Sequence, residues 1–184
     1  MSWIEEIDEE DAEGELKEVY EEIISARGKL SNIMKVHSLN PGAMKAHMDL
    51  YMSVMFQDRC IPREECEMIG VVVSHANGCS YCINHHAEAL RSYWDDEQVD
   101  LLTEDMDKVD MNDRKKKIAE YVYKLTGSPD KVDEEDVGSL REVGLSDKQI
   151  LNVNLIASYF NFVNRIALGL GVPFTEDEVE GYKY

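Results

Sequence analysis

Basic residues are scarce in this chain. Its 184 residues carry 19 Lys and Arg against 38 Asp and Glu, a formal charge of −19. Without a basic surface nothing displaces counterions from phosphates, which argues against nucleic-acid binding. Anionic membranes are disfavoured for the same reason. Long hydrophobic runs are missing too, the longest falling far short of a membrane span. The opening Met1-Ser2-Trp3-Ile4-Glu5-Glu6 has neither the basic start nor the apolar stretch of a signal peptide. The expected location is therefore the cytoplasm, where cysteines stay reduced. A Cys pair there points to catalysis or metal binding rather than to a structural cross-link. No Gly-rich phosphate loop or dinucleotide fingerprint occurs, so no cofactor is expected. Strand-type alternation, low-complexity linkers and a clear domain boundary are also absent.

What is present is a helical pattern and an uneven charge. With 43% hydrophobic residues the chain is no disordered acidic tail. A chain of this length buries roughly 70% of its unfolded surface, so it needs no disulfide or metal staple. Residues 1–22 hold 11 acidic residues and one basic; residues 95–136 hold 15 and seven. Between them, residues 37–94 hold six acidic and four basic residues, together with all four cysteines and all five histidines. Leu16, Val19, Tyr20, Ile23 and Ile24 recur at helical spacing, and Gly28 ends that helix. Asn40-Pro41 caps a second helix with a stripe of Met44, Met48, Tyr51, Met52 and Met55, read as core. Pro62 opens a third that runs to Asn77-Gly78, and a fourth is expected from about Ser80 to Trp94. Further helices are expected near 112–126 and 133–142. The last begins at Ser146 with Gln149 as a capping box and is apolar nearly all round from Ile150 to Leu170. That pattern predicts burial at the centre of the domain or at a subunit interface. The fold class is all-α.

The segment that carries chemistry is Glu67 to His86. On the fourth helix the expected inward stripe is Cys82, His86, Ala89, Leu90 and Tyr93, which stacks Cys82 and His86 one turn apart. Cys79 stands at the helix N-terminus. The helix dipole and a neighbouring imidazole both favour a thiolate, and His86 can take the Cys82 proton. A Cys-X-X-Cys pair can cycle between dithiol and disulfide. The dipole favours Cys79 as the nucleophile, whereas His86 favours Cys82. Glu67 sits in an apolar stretch and needs a partner, and an imidazole would serve. His85 falls on the expected outer flank with Tyr81, Glu88 and Ser92. His75 lies near the end of the third helix and close to the site. His37 and His47 are read as structural or exposed, and Cys60 and Cys66 as small buried hydrophobes.

The pattern Glu67-x11-Cys79-Ser80-Tyr81-Cys82-x3-His86 resembles the carboxymuconolactone decarboxylase/alkylhydroperoxidase D (AhpD)-like superfamily, and within it the peroxidase-related branch. Asn40-Pro41, the run Ala76 to His86 and Tyr159-Phe160-Asn161-Phe162-Val163-Asn164-Arg165 share in the likeness, which spans about residues 30–173. The resemblance implies an AhpD-like helical domain over 30–173, preceded by an acidic helical arm over 1–29 and followed by a tail over 174–184. It implies assembly into dimers, trimers or hexamers. It also implies reduction of hydroperoxides by Cys82 as nucleophile and Cys79 as resolving thiol, with His86 and Glu67 as a proton relay. An external dithiol of dihydrolipoamide or thioredoxin type would restore the thiols. Tyr81 stands where the best-known members have a His; it donates a hydrogen bond but is a poor base near neutrality. Two other readings stay open. Cys79, Cys82 and His86 could ligate zinc, with His85, Glu67 or water as fourth ligand. Alternatively the Cys pair is a redox switch in a non-catalytic protein that docks a partner on its acidic face.

Overall fold

A computed structural model describes residues 2–57, 60–179, 181 and 182. Every described element is helical. Nine α-helices follow one another among these residues: α1 Gly14–Arg27, α2 Asn32–Lys35, α3 Pro41–Met52, α4 Arg63–Asn77, α5 Ser80–Leu90, α6 Asp96–Glu104, α7 Asp113–Gly127, α8 Glu134–Glu142 and α9 Asp147–Leu170. The fold is an all-α bundle, as expected. None of its helices is long and apolar enough to cross a membrane.

Local chemistry sets most helix ends. The α1 helix buries Leu16, Val19, Tyr20 and Ile23 in the common core and stops at Gly28, whose N–H donates to the Ile24 carbonyl. Asn40 caps α3 by accepting from the Ala43 N–H, with Pro41 behind it at the first helical position. Ser146 and Gln149 close the expected capping box on α9. Asp133 and Asp136 form another on α8, while Asp95 and Asn112 cap α6 and α7 by accepting from the Gln98 and Lys115 N–H groups.

The centre of the molecule is α4. It packs against α5, α7 and α9, and every residue from Glu65 to Ser74 is buried. The Val71-Val72-Val73 run is thus helical because it is surrounded, not because it pairs in a sheet. Within the single chain, α9 covers one face and leaves the other open. It buries Ile150, Val153, Ile156, Ala157, Phe160 and Val163 but exposes Leu151, Leu155, Phe162 and Leu168. An all-round apolar pattern shows only that no face is polar; position in the bundle decides which face is covered.

The α5 helix also differs from its expected course. It ends at Leu90 rather than Trp94, and Tyr93 is 53% exposed while Ala87 is buried in its stead. The chain turns after Leu90, and Trp94 is held by a hydrogen bond from its Nε1 to Glu64 Oε2 at 3.1 Å. The Met stripe behaves as core at Met44, Met48 and Met55, with Tyr51 and Met52 partly buried. A widened, π-type turn, Ser53–Gln57, ends the α3 segment. Cys66 is buried as expected, but Cys60 is only partly so, being in the loop ahead of α4. The expected tail, 174–184, lies partly outside the described residues.

Candidate functional site

The α4–α5 corner is made by Gly78. Its φ of 67° lies in the left-handed region that a Cβ disfavours, and its N–H donates to the His75 carbonyl. The turn places Cys79 as the N-cap of α5, with its N–H on the Ser74 carbonyl and its own carbonyl accepting from Ile83. Cys82 follows in the first turn. The two thiols are 1% and 2% exposed, carry no disulfide and hydrogen-bond each other.

That bond splits their acidities. The hydrogen bond from Cys82 lowers the Cys79 thiol to about 7 against the opposing effect of burial. The same bond, with burial next, raises Cys82 well above its ordinary value. The pair therefore releases a first proton near neutrality and keeps the second between the sulfurs. Their exposure to ligand differs. A cavity enclosing about 720 Å³ including its open mouth is lined by Cys82 and not by Cys79.

Behind Cys82, His86 lines the same cavity and donates from Nδ1 to Glu67 Oε2 at 2.7 Å. Glu67 is 1% exposed, and Arg63, one turn earlier on α4, reaches its other oxygen at 2.5 Å. Burial works to raise the Glu67 pKa, but the bond from His86 and the charge of Arg63 outweigh it and hold the carboxyl below its usual range. Glu67 is thus an ionised, doubly paired anchor that fixes the tautomer and orientation of His86. Helix α4 comes so close that a Cβ on Gly70 would lie 2.8 Å from His86 Cγ.

Tyr81 and His85 occupy the other side of the turn. The Tyr81 hydroxyl donates to Glu178 Oε2 at 2.7 Å and accepts from the Ile33 N–H at 3.2 Å. Burial, followed by Glu178, pushes its pKa well up, so it is a fixed donor and no base. His85 is not on an outer flank. Its Nε2 lies 3.2 Å from Glu178 Oε2, and its ring packs against Tyr81, Phe174 and Tyr182. The segment after α9 folds back over α5, which helical periodicity does not reveal. His75 is tied to α6 through Nδ1 and the Thr103 carbonyl at 2.8 Å and does not line the cavity. Cys60 and Cys66 stand apart from it as well.

Several residues here carry no mark in the sequence motif. Arg63 could have been found as a cation four residues before an isolated Glu. Asn164, fully buried in apolar α9, bonds the Cys82 thiol, accepts from Asn77 Nδ2 at 3.0 Å and donates to Ser74 Oγ at 3.3 Å. A buried Asn inside an apolar run is itself a signal. Glu178 has no local signal, since its partners come from α2 and α5.

Among the described residues no three His, Cys, Asp or Glu side chains converge as a metal-binding set. The zinc reading of Cys79, Cys82 and His86 thus finds no such set in its support, while Nδ1 of His86 bonds Glu67 and the thiols bond each other.

Known proteins share this architecture. Residues 41–100, which include Glu67, Cys79, Cys82 and His86, match the carboxymuconolactone decarboxylase family. An uncharacterized protein, YdfG, of Bacillus subtilis (strain 168) is 28% identical over 144 residues, covering 77% of this chain and 96% of that protein. The AhpD-core structure of an uncharacterized peroxidase-related protein from Ralstonia eutropha JMP134 superposes with a TM-score of 0.86 at 23% identity, over 97% of this chain and 94% of that one. The debrominase Bmp8, in a variant bound to 2,3,4-tribromopyrrole, superposes with a TM-score of 0.77 at 21% identity, over 94% and 91%. The segment 41–100 thus resembles the carboxymuconolactone decarboxylase family, and the chain as a whole has the AhpD-like fold.

Proposed function

We propose that the chain is a thiol-dependent peroxidase that reduces hydroperoxides through a dithiol–disulfide cycle of Cys82 and Cys79. The observation that carries this reading is the shared cavity: Cys82 and His86 both open on it, Glu67 anchors His86, and Cys79 touches Cys82 from behind.

The chemistry runs in three stages. Cys82 sulfur attacks the terminal oxygen of R–O–O–H, forming S–O as O–O breaks, and the electron pair leaves on the RO oxygen. The Cys82 proton passes to Nε2 of His86, which returns it to the leaving oxygen, so an alcohol departs and Cys79 stays a thiolate. Cys79, as thiolate, then attacks the Cys82 sulfenic acid; S–S forms, S–O breaks and hydroxide leaves with a proton as water. An external dithiol of dihydrolipoamide or thioredoxin type reduces the disulfide by two exchanges. Cys79 is the more acidic thiol but faces away from the cavity, so access, rather than acidity, assigns it the resolving role. Tyr81 holds the turn through Glu178 and moves no proton.

Peroxide consumption with dihydrolipoamide or thioredoxin tests the proposal, comparing wild type with Cys82→Ser and Cys79→Ser. Both variants are expected to lose turnover. Turnover surviving Cys82→Ser would overturn the assignment.

A second reading draws on the debrominase of the same fold and on the aromatic wall of Tyr51, Tyr159 and Phe160. The dithiol would supply two electrons to an aryl halide, releasing halide and closing the disulfide. Bromide release from a brominated pyrrole without peroxide turnover would favour it.

A further inference from the structure

Three side chains outside that machinery form a line leading away from the cavity. Tyr159 on α9 lines the cavity beside Cys82. Its hydroxyl lies 2.9 Å from Nε2 of His47, on α3. Nδ1 of His47 lies 3.4 Å from Nε2 of His37, in the turn after α2. Nδ1 of His37 lies 2.9 Å from the Ile33 carbonyl oxygen. His47 is buried and His37 half-buried.

The direction of this line can be worked out from its fixed end. A carbonyl oxygen only accepts, so Nδ1 of His37 carries a proton. Burial lowers the His37 pKa, and burial followed by the nearby His37 pushes His47 down to about 3. Both rings are therefore neutral near pH 7, each with one donor nitrogen and one acceptor. His37 Nε2 is then bare, so Nδ1 of His47 must donate to it. Nε2 of His47 is bare in turn, so the Tyr159 hydroxyl must donate to that. The phenol keeps its proton, because burial, then Tyr51 and Cys82, raise its pKa. The single hydroxyl proton is committed to His47, and the oxygen has a lone pair left for the cavity.

We infer that Tyr159 seats the substrate by accepting the O–H of a protonated hydroperoxide, with His47 and His37 as positioning residues that fix the direction of its hydroxyl. The inference rests on the peroxidase reading above. In R–O–O–H the terminal oxygen carries the proton and is also the atom that sulfur takes. Holding that O–H on Tyr159 sets the terminal oxygen in the cavity that Cys82 opens on and leaves the RO oxygen for protonation from His86. The site then prefers hydroperoxides to electrophiles that offer no O–H or N–H, such as disulfides and thiosulfonates.

Two measurements on the full-length reduced protein test this. Nitrogen-15 NMR of histidine-labelled wild type is expected to show His37 and His47 both as neutral Nδ1–H tautomers. Kinetics of Tyr159→Phe are expected to show KM for cumene hydroperoxide raised about three- to tenfold, the scale of one lost hydrogen bond. The rate of Cys82 modification by methyl methanethiosulfonate, which has no hydrogen to donate, should stay within about twofold, so that the loss is confined to hydroperoxides. A proton on Nε2 of His47, or an unchanged KM in Tyr159→Phe, would overturn the seat while leaving the peroxidase reading standing. Wild type that consumes no hydroperoxide would overturn that reading and the seat with it.

Discussion

At the scale of single residues, Glu67 carries the most consequence. It is buried, ionised and paired to both His86 and Arg63. Removing its charge leaves Arg63 without its partner carboxylate and His86 without its anchor, so Glu67→Gln is expected to cost about 3 kcal/mol of stability and about a hundredfold in peroxide turnover. Denaturant melts and steady-state kinetics check the two effects separately. The sign of the pH effect follows from the lowered carboxyl pKa. A group whose folded pKa lies below its unfolded value of about 4.3 contributes stability fully above that pH and loses it as pH falls through the folded value. The stability gap between wild type and Glu67→Gln should therefore be constant near neutrality and shrink below about pH 4. Glu67 was legible as a charged residue in an apolar stretch, because burying an unpaired charge is so costly that a partner is implied. Asn164 and Tyr159 were legible only as parts of a likeness. Their partners come from other helices, and no local pattern encodes that contact.

At the scale of elements, the site depends on how closely α4 and α5 approach. Gly70 is the point of contact, and a methyl there would meet the His86 ring at 2.8 Å. Gly70→Ala gains helix propensity of about 1 kcal/mol and loses about 1–3 kcal/mol to overpacking, so stability should fall by about 0–2 kcal/mol. The displaced ring leaves Glu67, and a shift of this size is worth about a hundredfold in rate. A large loss of activity with a smaller loss of stability than in Glu67→Gln, the protein still folded, is the expected result, read by kinetics and thermal denaturation on the same preparation. Helix order, the Asn40 and Ser146 caps and the Gly28 and Gly78 stops were all legible, because capping chemistry is local. The end of α5 and the exposed face of α9 were not. The turn after Leu90 and the choice of which α9 face meets the bundle are tertiary facts. His85 shows the same limit: its burial is created by Glu178, 93 residues further along the chain.

At the scale of the whole molecule, the charge of −19 is not what the cavity sees. Among the described residues, Arg27, Lys29 and Arg63 line it with Glu67 as the one carboxylate. The Cys79 thiolate that an acidic protein would oppose is favoured by the N-terminus of α5 and by the Cys79–Cys82 bond. The remaining acid lies largely at the surface and repels itself. Raising ionic strength from roughly 0.05 to roughly 0.5 M, which contracts the screening length severalfold, should therefore raise the melting temperature by a few degrees. A fall would mean that surface pairs such as Arg91 with Asp96 and Asp100 outweigh the net repulsion.

The central claim is that Cys82 meets the peroxide and Cys79 resolves it. Mass spectrometry of Cys79→Ser and Cys82→Ser, each given one equivalent of hydroperoxide in the presence of a sulfenic-acid trap, tests it most directly. A trapped sulfenic acid is expected on Cys82 in Cys79→Ser and none in Cys82→Ser. A sulfenic acid formed at Cys79 in Cys82→Ser, at the wild-type rate of oxidation, would contradict it.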